Sequence, residues 1–266
     1  MLCNIFDSHA HYDDEAFSQD RDELLNELFS STVCNVINVG ADVKSSEESI
    51  KLANKYSQIY ASVGAHPHCV SDLPENYIEI FSDLAKNEKV VAIGEIGLDY
   101  HYDTTPKDMQ KKYFEKQLIL AQNLDLPVII HTREATEDTL KVLKKYKVKG
   151  TIHCFSESIE TLKEVLKMGM YISLGGAVTF KNARKLLEVA YEVPIERLLL
   201  ETDAPYMTPV PFRGKRCDST MIRYTAEKIA EIKGISVEFL LEQTRINAEN
   251  LFLLKQDVIE KRRIVL

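Results

Sequence analysis

Val90-Val91-Ala92-Ile93-Gly94-Glu95 is an apolar run of strand length that stops at a carboxylate. The same pattern recurs along the chain. Ile5-Phe6-Asp7 leads into His9 and His11, Val128-Ile129-Ile130 ends at His131, Thr151-Ile152 ends at His153, and Leu198-Leu199-Leu200-Glu201 runs into Asp203. One such coincidence means little. Five in chain order predict parallel strands whose C-terminal ends converge on one spot, where a closed α/β barrel keeps its chemistry.

Working outward, eight candidate strands (residues 4–7, 33–39, 59–63, 90–94, 127–131, 150–153, 171–174 and 197–201) alternate with amphipathic stretches. In those stretches apolar residues recur at three- and four-residue spacing, as in Leu24, Leu25, Leu28 and Phe29 or Ile222, Ala226, Ile229 and Ala230. Eight such units predict a (β/α)8 TIM barrel, somewhat distorted, with a metal site at the C-terminal ends of its strands. An open doubly wound sheet would want a Gly-rich dinucleotide turn after the first strand, and D-S-H-A-H (7–11) stands there instead. A last helical segment, 236–254, is expected to pack outside the barrel. No repeat, low-complexity tract or Pro/Gly/Ser linker breaks the alternation, so residues 1–266 read as one domain.

Composition narrows the class. A chain of 266 residues with 45% hydrophobic residues can bury a sizeable core. A net charge of -8 argues against a general basic coat for nucleic acid, although a local basic mouth remains compatible with it. The five cysteines (Cys3, Cys34, Cys69, Cys154, Cys217) are unclustered, with no C-x-x-C pair, which favours a reduced, cytoplasmic setting. No secretory leader opens the chain, and no apolar run approaches the ~18 residues of a membrane span. The chain is therefore expected to be soluble and unexported, with no membrane partner, and its oligomeric state is not readable from this pattern.

The chemistry lies at the strand ends. Alternate residues of an extended strand share a face, so His9 and His11 can point together into the barrel mouth. An H-x-H pair alone is equally compatible with two solvent-facing loop histidines. Glu95 would be costly to bury without a cation. An arginine could supply that charge, or Glu95 could bridge two metal ions, one per carboxylate oxygen, at the ~3.5–4 Å separation of two-metal hydrolases. His131 and His153 would each pass as a core histidine in isolation; at matching positions on adjacent strands they read as ligands. Asp203 is a candidate both to bind metal and to accept a proton from an attacking water. Pro205 speaks against its being a helix N-cap. Asp7 and Glu201 are expected to support the ligands from behind. A mixed nitrogen and oxygen set suits Zn²⁺, Mn²⁺ or Mg²⁺, and Cys154 reads as a small buried residue before it reads as a thiolate ligand.

A second, basic group comprises Arg213-Gly214-Lys215-Arg216 after the last strand, Arg133 two residues past His131, and His66 and His68 in G-A-H-P-H (64–68). Guanidinium forks beside a divalent metal site suit phosphate oxygens, so His66, Arg133, Arg213 and Arg216 are expected to bind substrate. A solvated charge run is the alternative for the tetrad.

Taken together, D-S-H-A-H, G-A-H-P-H, G-E-I-G-L-D-Y (94–100), I-I-H-T-R (129–133), H-C-F-S (153–156), L-L-L-E-T-D-A-P (198–205) and R-G-K-R resemble the TatD family of metal-dependent hydrolases, within the amidohydrolase superfamily. The resemblance runs from Asp7 to Arg216. It implies one or two divalent metals, with His9 and His11 as the first ligand pair, Glu95 as the bridging carboxylate, His131 and His153 as later ligands and Asp203 as the terminal aspartate. It also implies deoxyribonuclease activity, often at a 3′ end, while some relatives deacylate D-aminoacyl-tRNA. The chain departs from the family pattern at Cys217-Asp218-Ser219, where Asn-Glu-Pro is usual, and at Glu157, where glycine is usual. Both departures are expected near the mouth, where they would alter substrate size and polarity.

The expected activity is therefore phosphodiester hydrolysis of DNA, as single strands or 3′ ends, by a metal-activated water with Asp203 and Glu95 in catalytic positions. The alternatives are an amidohydrolase or esterase for a small metabolite or D-aminoacyl-tRNA, and a non-catalytic binding protein on the same barrel.

Overall fold

The computed structural model describes residues 4–102 and 104–252. Its eight strands are β1 (Ile5–Ala10), β2 (Val33–Val39), β3 (Ile59–Val63), β4 (Val90–Asp99), β5 (Val128–Arg133), β6 (Gly150–Ile152), β7 (Tyr171–Leu174) and β8 (Leu198–Leu200). They pair in parallel in sequence order. Helices α1 (Arg21–Ser30), α2 (Val43–Lys55), α3 (Tyr77–Leu84), α4 (Lys107–Leu124), α5 (Thr136–Tyr146), α6 (Ile159–Lys167), α7 (Arg184–Glu192) and α8 (Ile222–Lys233) follow the strands in turn, and α9 (Val237–Phe252) ends the described chain. This is the (β/α)8 barrel that the alternation predicts.

The ring closes between β8 and β1 through a small set of contacts. Ala10 and Ala204 form a parallel bridge, the Asp203 N–H donates to His9 O at 2.9 Å, and the His11 N–H donates to Ala204 O at 2.7 Å. Closure therefore fastens the H-x-H segment directly to the Asp203 loop.

Three strands outrun their sequence-based bounds, β5 by running two residues past His131 to Arg133. β1 continues through His9 to Ala10, and β4 continues five residues beyond Gly94 to Asp99. The β4–β5 register shifts between Ile93 and Ile96, then resumes with Gly97 opposite His131 and Asp99 opposite Arg133. A side chain at Gly97 would collide with the His131 carbonyl, so only glycine lets the two strands meet there at its φ of +148°. The irregularity turns Glu95 into the barrel and leaves a second carboxylate, Asp99, at the strand's C-terminal end.

One expectation about packing needs correction. The first half of α9 packs on the outer core through Leu240 and Leu241, but its second half does not lie on the outside of the barrel. Ala248, Leu251 and Phe252 join Phe6, Ile37, Val91, Ile129 and Leu199 from the strands in one buried cluster, separate from the larger core between strands and helices. Asn247 donates to Ile195 O and Leu198 O at 2.7 and 2.8 Å, tying the helix to the start of β8. The helix thus seals the N-terminal end of the barrel interior, opposite the histidines. Residues 253–254 of the predicted helix, and Cys3, lie outside the described residues. Among the described residues, no helix is long and apolar enough to cross a membrane.

Candidate metal centre

Glu95 stands at the centre of the site, only 4% exposed, with histidines on both sides of its carboxylate. Its Oε1 lies 2.8 Å from His131 Nδ1 and 2.8 Å from His153 Nε2. Its Oε2 lies 3.5 Å from His9 Nε2 and 3.8 Å from His11 Nε2. Asp203 Oδ1 completes the second side, 3.5 Å from His11 Nε2 and 3.7 Å from His9 Nε2. Glu95 comes from the middle of β4, and the other five residues from the C-terminal ends of β1, β5, β6 and β8 or just beyond them. Two compatible donor groups result, His9, Glu95 and His153 in one and His9, His11 and Asp203 in the other.

The outer nitrogens fix which atoms face inward. His11 Nδ1 lies 2.9 Å from Val39 O, so it carries a proton there and Nε2 is the atom turned toward Asp203. His131 Nε2 lies 3.1 Å from Asp99 Oδ2, so its Nδ1 is the atom presented to Glu95. His153 Nδ1 is 3.7 Å from Glu201 Oε1, and the same Glu201 oxygen accepts from the Cys154 N–H at 2.6 Å. Glu201 thus lies behind His153. Asp7 differs from expectation in its contacts, since it touches no imidazole. It accepts from the His9 N–H, the Thr202 N–H and hydroxyl, and the Ser219 hydroxyl at 3.2, 3.0, 2.6 and 2.7 Å, so it sets the backbone that carries His9 and Asp203. Burial lifts its pKa to about 7, against those hydrogen bonds.

The donor set fits divalent cations on electrostatic grounds. Burial alone would raise Glu95, but His153 and His66, with hydrogen bonds from His131 and His153, hold it well below the carboxylate range. Burial disfavours charge on His11, yet the hydrogen bond and charge of Asp203, with Glu95, lift its pKa to about 9. Asp99 and Glu95 raise His131, and Glu95 and Glu201 raise His153, against burial in both cases. Protons collect on ring nitrogens here because buried carboxylates demand positive charge, which divalent cations would supply in their place. The His9 Nδ1 and His153 Nδ1 atoms are buried without a hydrogen-bond partner among the described residues. Cys154 takes no part in a donor group, and burial raises its thiol pKa far above the usual value.

Two residues not assigned a role by sequence reasoning, Asp99 and His68, belong to this neighbourhood beside His66. Asp99 faces His131 Nε2 at 3.1 Å and His68 Nε2 at 3.4 Å, and with His66 and His131 it forms a third compatible donor group. His66 Nε2 is 3.8 Å from Glu95 Oε1, while its Nδ1 accepts the His68 N–H at 3.2 Å. Burial, with His131 and His68 nearby, lowers the His66 pKa to about 3 despite Glu95, so the ring is neutral and its Nε2–H points inward as a donor.

The centre opens into a cavity of about 590 Å³ lined by His66, Arg133, Asp203, Tyr102, Tyr206 and Asp14 among others. Arg213 and Arg216 are not among its lining residues. Arg213 donates to Thr208 O at 3.0 Å and stacks 3.9 Å above the Phe180 ring centre. Arg216 forms a two-pronged pair with Asp20 at 2.7 and 2.5 Å and donates to Ala16 O. Both guanidinium groups hold loops together, and neither lines this cavity. The family departures make contacts of their own. Cys217 and Ser219 are fully buried, with Ser219 linking Asp7 to the Tyr12 hydroxyl, and Glu157 accepts from the Thr136 hydroxyl.

Comparison with known proteins bears directly on this geometry. The profile of a family described as TatD related DNase matches residues 6–253. The "Uncharacterized metal-dependent hydrolase YabD" of Bacillus subtilis (strain 168) is 44% identical over 251 residues, covering 93% of this chain and 98% of that protein. The "3'-5' ssDNA/RNA exonuclease TatD" of Klebsiella pneumoniae (strain 342) is 32% identical over 256 residues, 93% of this chain and 97% of that one. Among solved structures, YJJV, a TatD homolog from Escherichia coli K12, superposes with a TM-score of 0.90 at 28% identity, covering 96% of this chain and all of the other.

Proposed function

This chain belongs to the TatD related DNase family of metal-dependent hydrolases, and on that premise we propose that it hydrolyses phosphodiester bonds of DNA, working from the 3′ ends of single strands. The observation that carries the reading is Glu95, whose two oxygens face two separate sets of ring nitrogens beside an open cavity. His9, His11, Asp203 and Glu95 would hold one cation; His131, His153 and Glu95 would hold the other. Bound there, divalent cations supply Lewis acidity that makes water nucleophilic near neutral pH and offsets charge on the phosphate.

The chain's own groups do the rest. Asp203 is held below the carboxylate range by His11, His9 and His153 against burial, so it is ionised and able to accept the proton that the attacking water releases. The neutral His66 donates its Nε2–H, and Arg133 its guanidinium N–H groups, to phosphate oxygens flanking the scissile bond. Asp99 keeps His131 oriented with Nδ1 inward, and Glu201 backs His153.

A second reading is ester hydrolysis on a less anionic group, such as the aminoacyl end of a D-aminoacyl-tRNA. The commitment of Arg213 and Arg216 to Thr208, Phe180 and Asp20 favours it, because Arg133 is then the permanently charged cation lining the cavity among the described residues. Incubating Mn²⁺-loaded protein with end-labelled single-stranded DNA, a duplex and a D-aminoacyl-tRNA, each with and without chelator, separates the two. Shortening of the single strand from its 3′ end, abolished by chelator, supports the nuclease. Turnover of the aminoacyl ester alone supports the second reading.

A further inference from the structure

Tyr206 follows Asp203 by three residues and is 55% exposed, although it lines the cavity above the metal centre. Its position is fixed at both ends. Its N–H donates to Asp203 O at 2.8 Å, and its hydroxyl donates to Asp14 Oδ2 at 2.8 Å. Among the described residues, no aromatic ring or cation is stacked on it. An exposed aromatic ring held at two points, with an open face beside the reacting groups, is a ready stacking surface. On the same cavity Tyr102, 49% exposed, differs, because Arg133 lies 5.1 Å from its ring centre and His68 and His101 meet it edge-on.

Resting on the nuclease reading, we infer that Tyr206 stacks the nucleobase of the nucleotide adjoining the scissile phosphodiester. Tyr102 and Arg133 form the other flank, with the guanidinium left to the phosphate. The rest of the rim near Tyr206 is anionic, with Asp13, Asp14 and Asp203 all on the cavity wall. Such a wall repels phosphates, so a strand crossing it is held through its bases. Stacking accepts every base, since all have a π face, and it requires an unpaired strand whose bases are free to turn out.

The test compares two single-stranded oligonucleotides of equal length, one with an ordinary 3′-terminal nucleoside and one with an abasic tetrahydrofuran residue there. Wild-type protein loaded with Mn²⁺ should show a KM for the abasic strand roughly 5- to 150-fold above that for the base-bearing strand, the range that base–aromatic stacking supplies. Tyr206→Ala and Tyr206→Leu should bring that ratio close to one, and Tyr206→Phe should preserve it. Metal content measured on each variant shows whether the Asp203 loop has kept its shape. A ratio that survives in both Tyr206→Ala and Tyr206→Leu, or its absence in the wild type, overturns the stacking role while leaving the nuclease standing. Cleavage of neither oligonucleotide by the wild type overturns both.

Discussion

His131 and Asp99 face one another at 3.1 Å, Nε2 to Oδ2, across a β4–β5 register in which Asp99 is paired with Arg133. The contact fixes the ring of a histidine whose other nitrogen lies 2.8 Å from Glu95. Removing the charge while keeping the size, as in Asp99→Asn, should raise the dissociation constant for the metal by ~10–100-fold, the usual cost of losing a carboxylate behind a ligating histidine. Chelator competition measures it. An unchanged constant would show that His131 needs no such partner.

Protonation should couple to metal loading with a definite sign. In the metal-free protein His11 has its pKa raised from 6.5 to about 9, and His131 and His153 are raised as well. Raised histidines contribute stability that is full below the unfolded value and lost as pH rises through the folded one. His9 and His66 are lowered and act on the acid side instead, favouring unfolding as pH falls below about 6.5. Thermal unfolding of chelator-treated protein should therefore show stability declining between about pH 6.5 and 9, a decline that metal loading suppresses because cations replace the protons. Parallel pH profiles with and without metal would refute this coupling.

The arginines should separate cleanly. Arg133→Ala is expected to raise KM for an oligonucleotide and to flatten its dependence on salt, as loss of a phosphate contact does. Arg216→Ala removes an exposed pair with Asp20 and should change thermal stability little, with KM unaltered. Equal effects of the two on KM would return the basic loop to the substrate.

Much of this site was readable because a metal centre at strand ends leaves a local mark: an apolar run, then a ligand. Glu95, His131, His153 and Asp203 all carry it. Asp99 sits in the same G-E-I-G-L-D-Y stretch but escaped notice, since an apolar run that reaches a bend at Gly94 gives no sign that the strand continues to Asp99. The pairing of Arg216 was not readable for a different reason. Its partner Asp20 is 196 residues away in sequence, and nothing local distinguishes an arginine that braces a loop from one that meets a phosphate. The place of α9 was illegible in the same way, because periodicity shows that a helix has an apolar face without showing which surface covers it.

Anomalous diffraction from crystals of the Mn²⁺-loaded protein would test the central claim, that two cations straddle Glu95. Two peaks are predicted, one among His9 Nε2, His11 Nε2, Asp203 and one Glu95 oxygen, the other among His131 Nδ1, His153 Nε2 and the second Glu95 oxygen. A peak among His66, Asp99 and His131, with none beside Glu95, would contradict it.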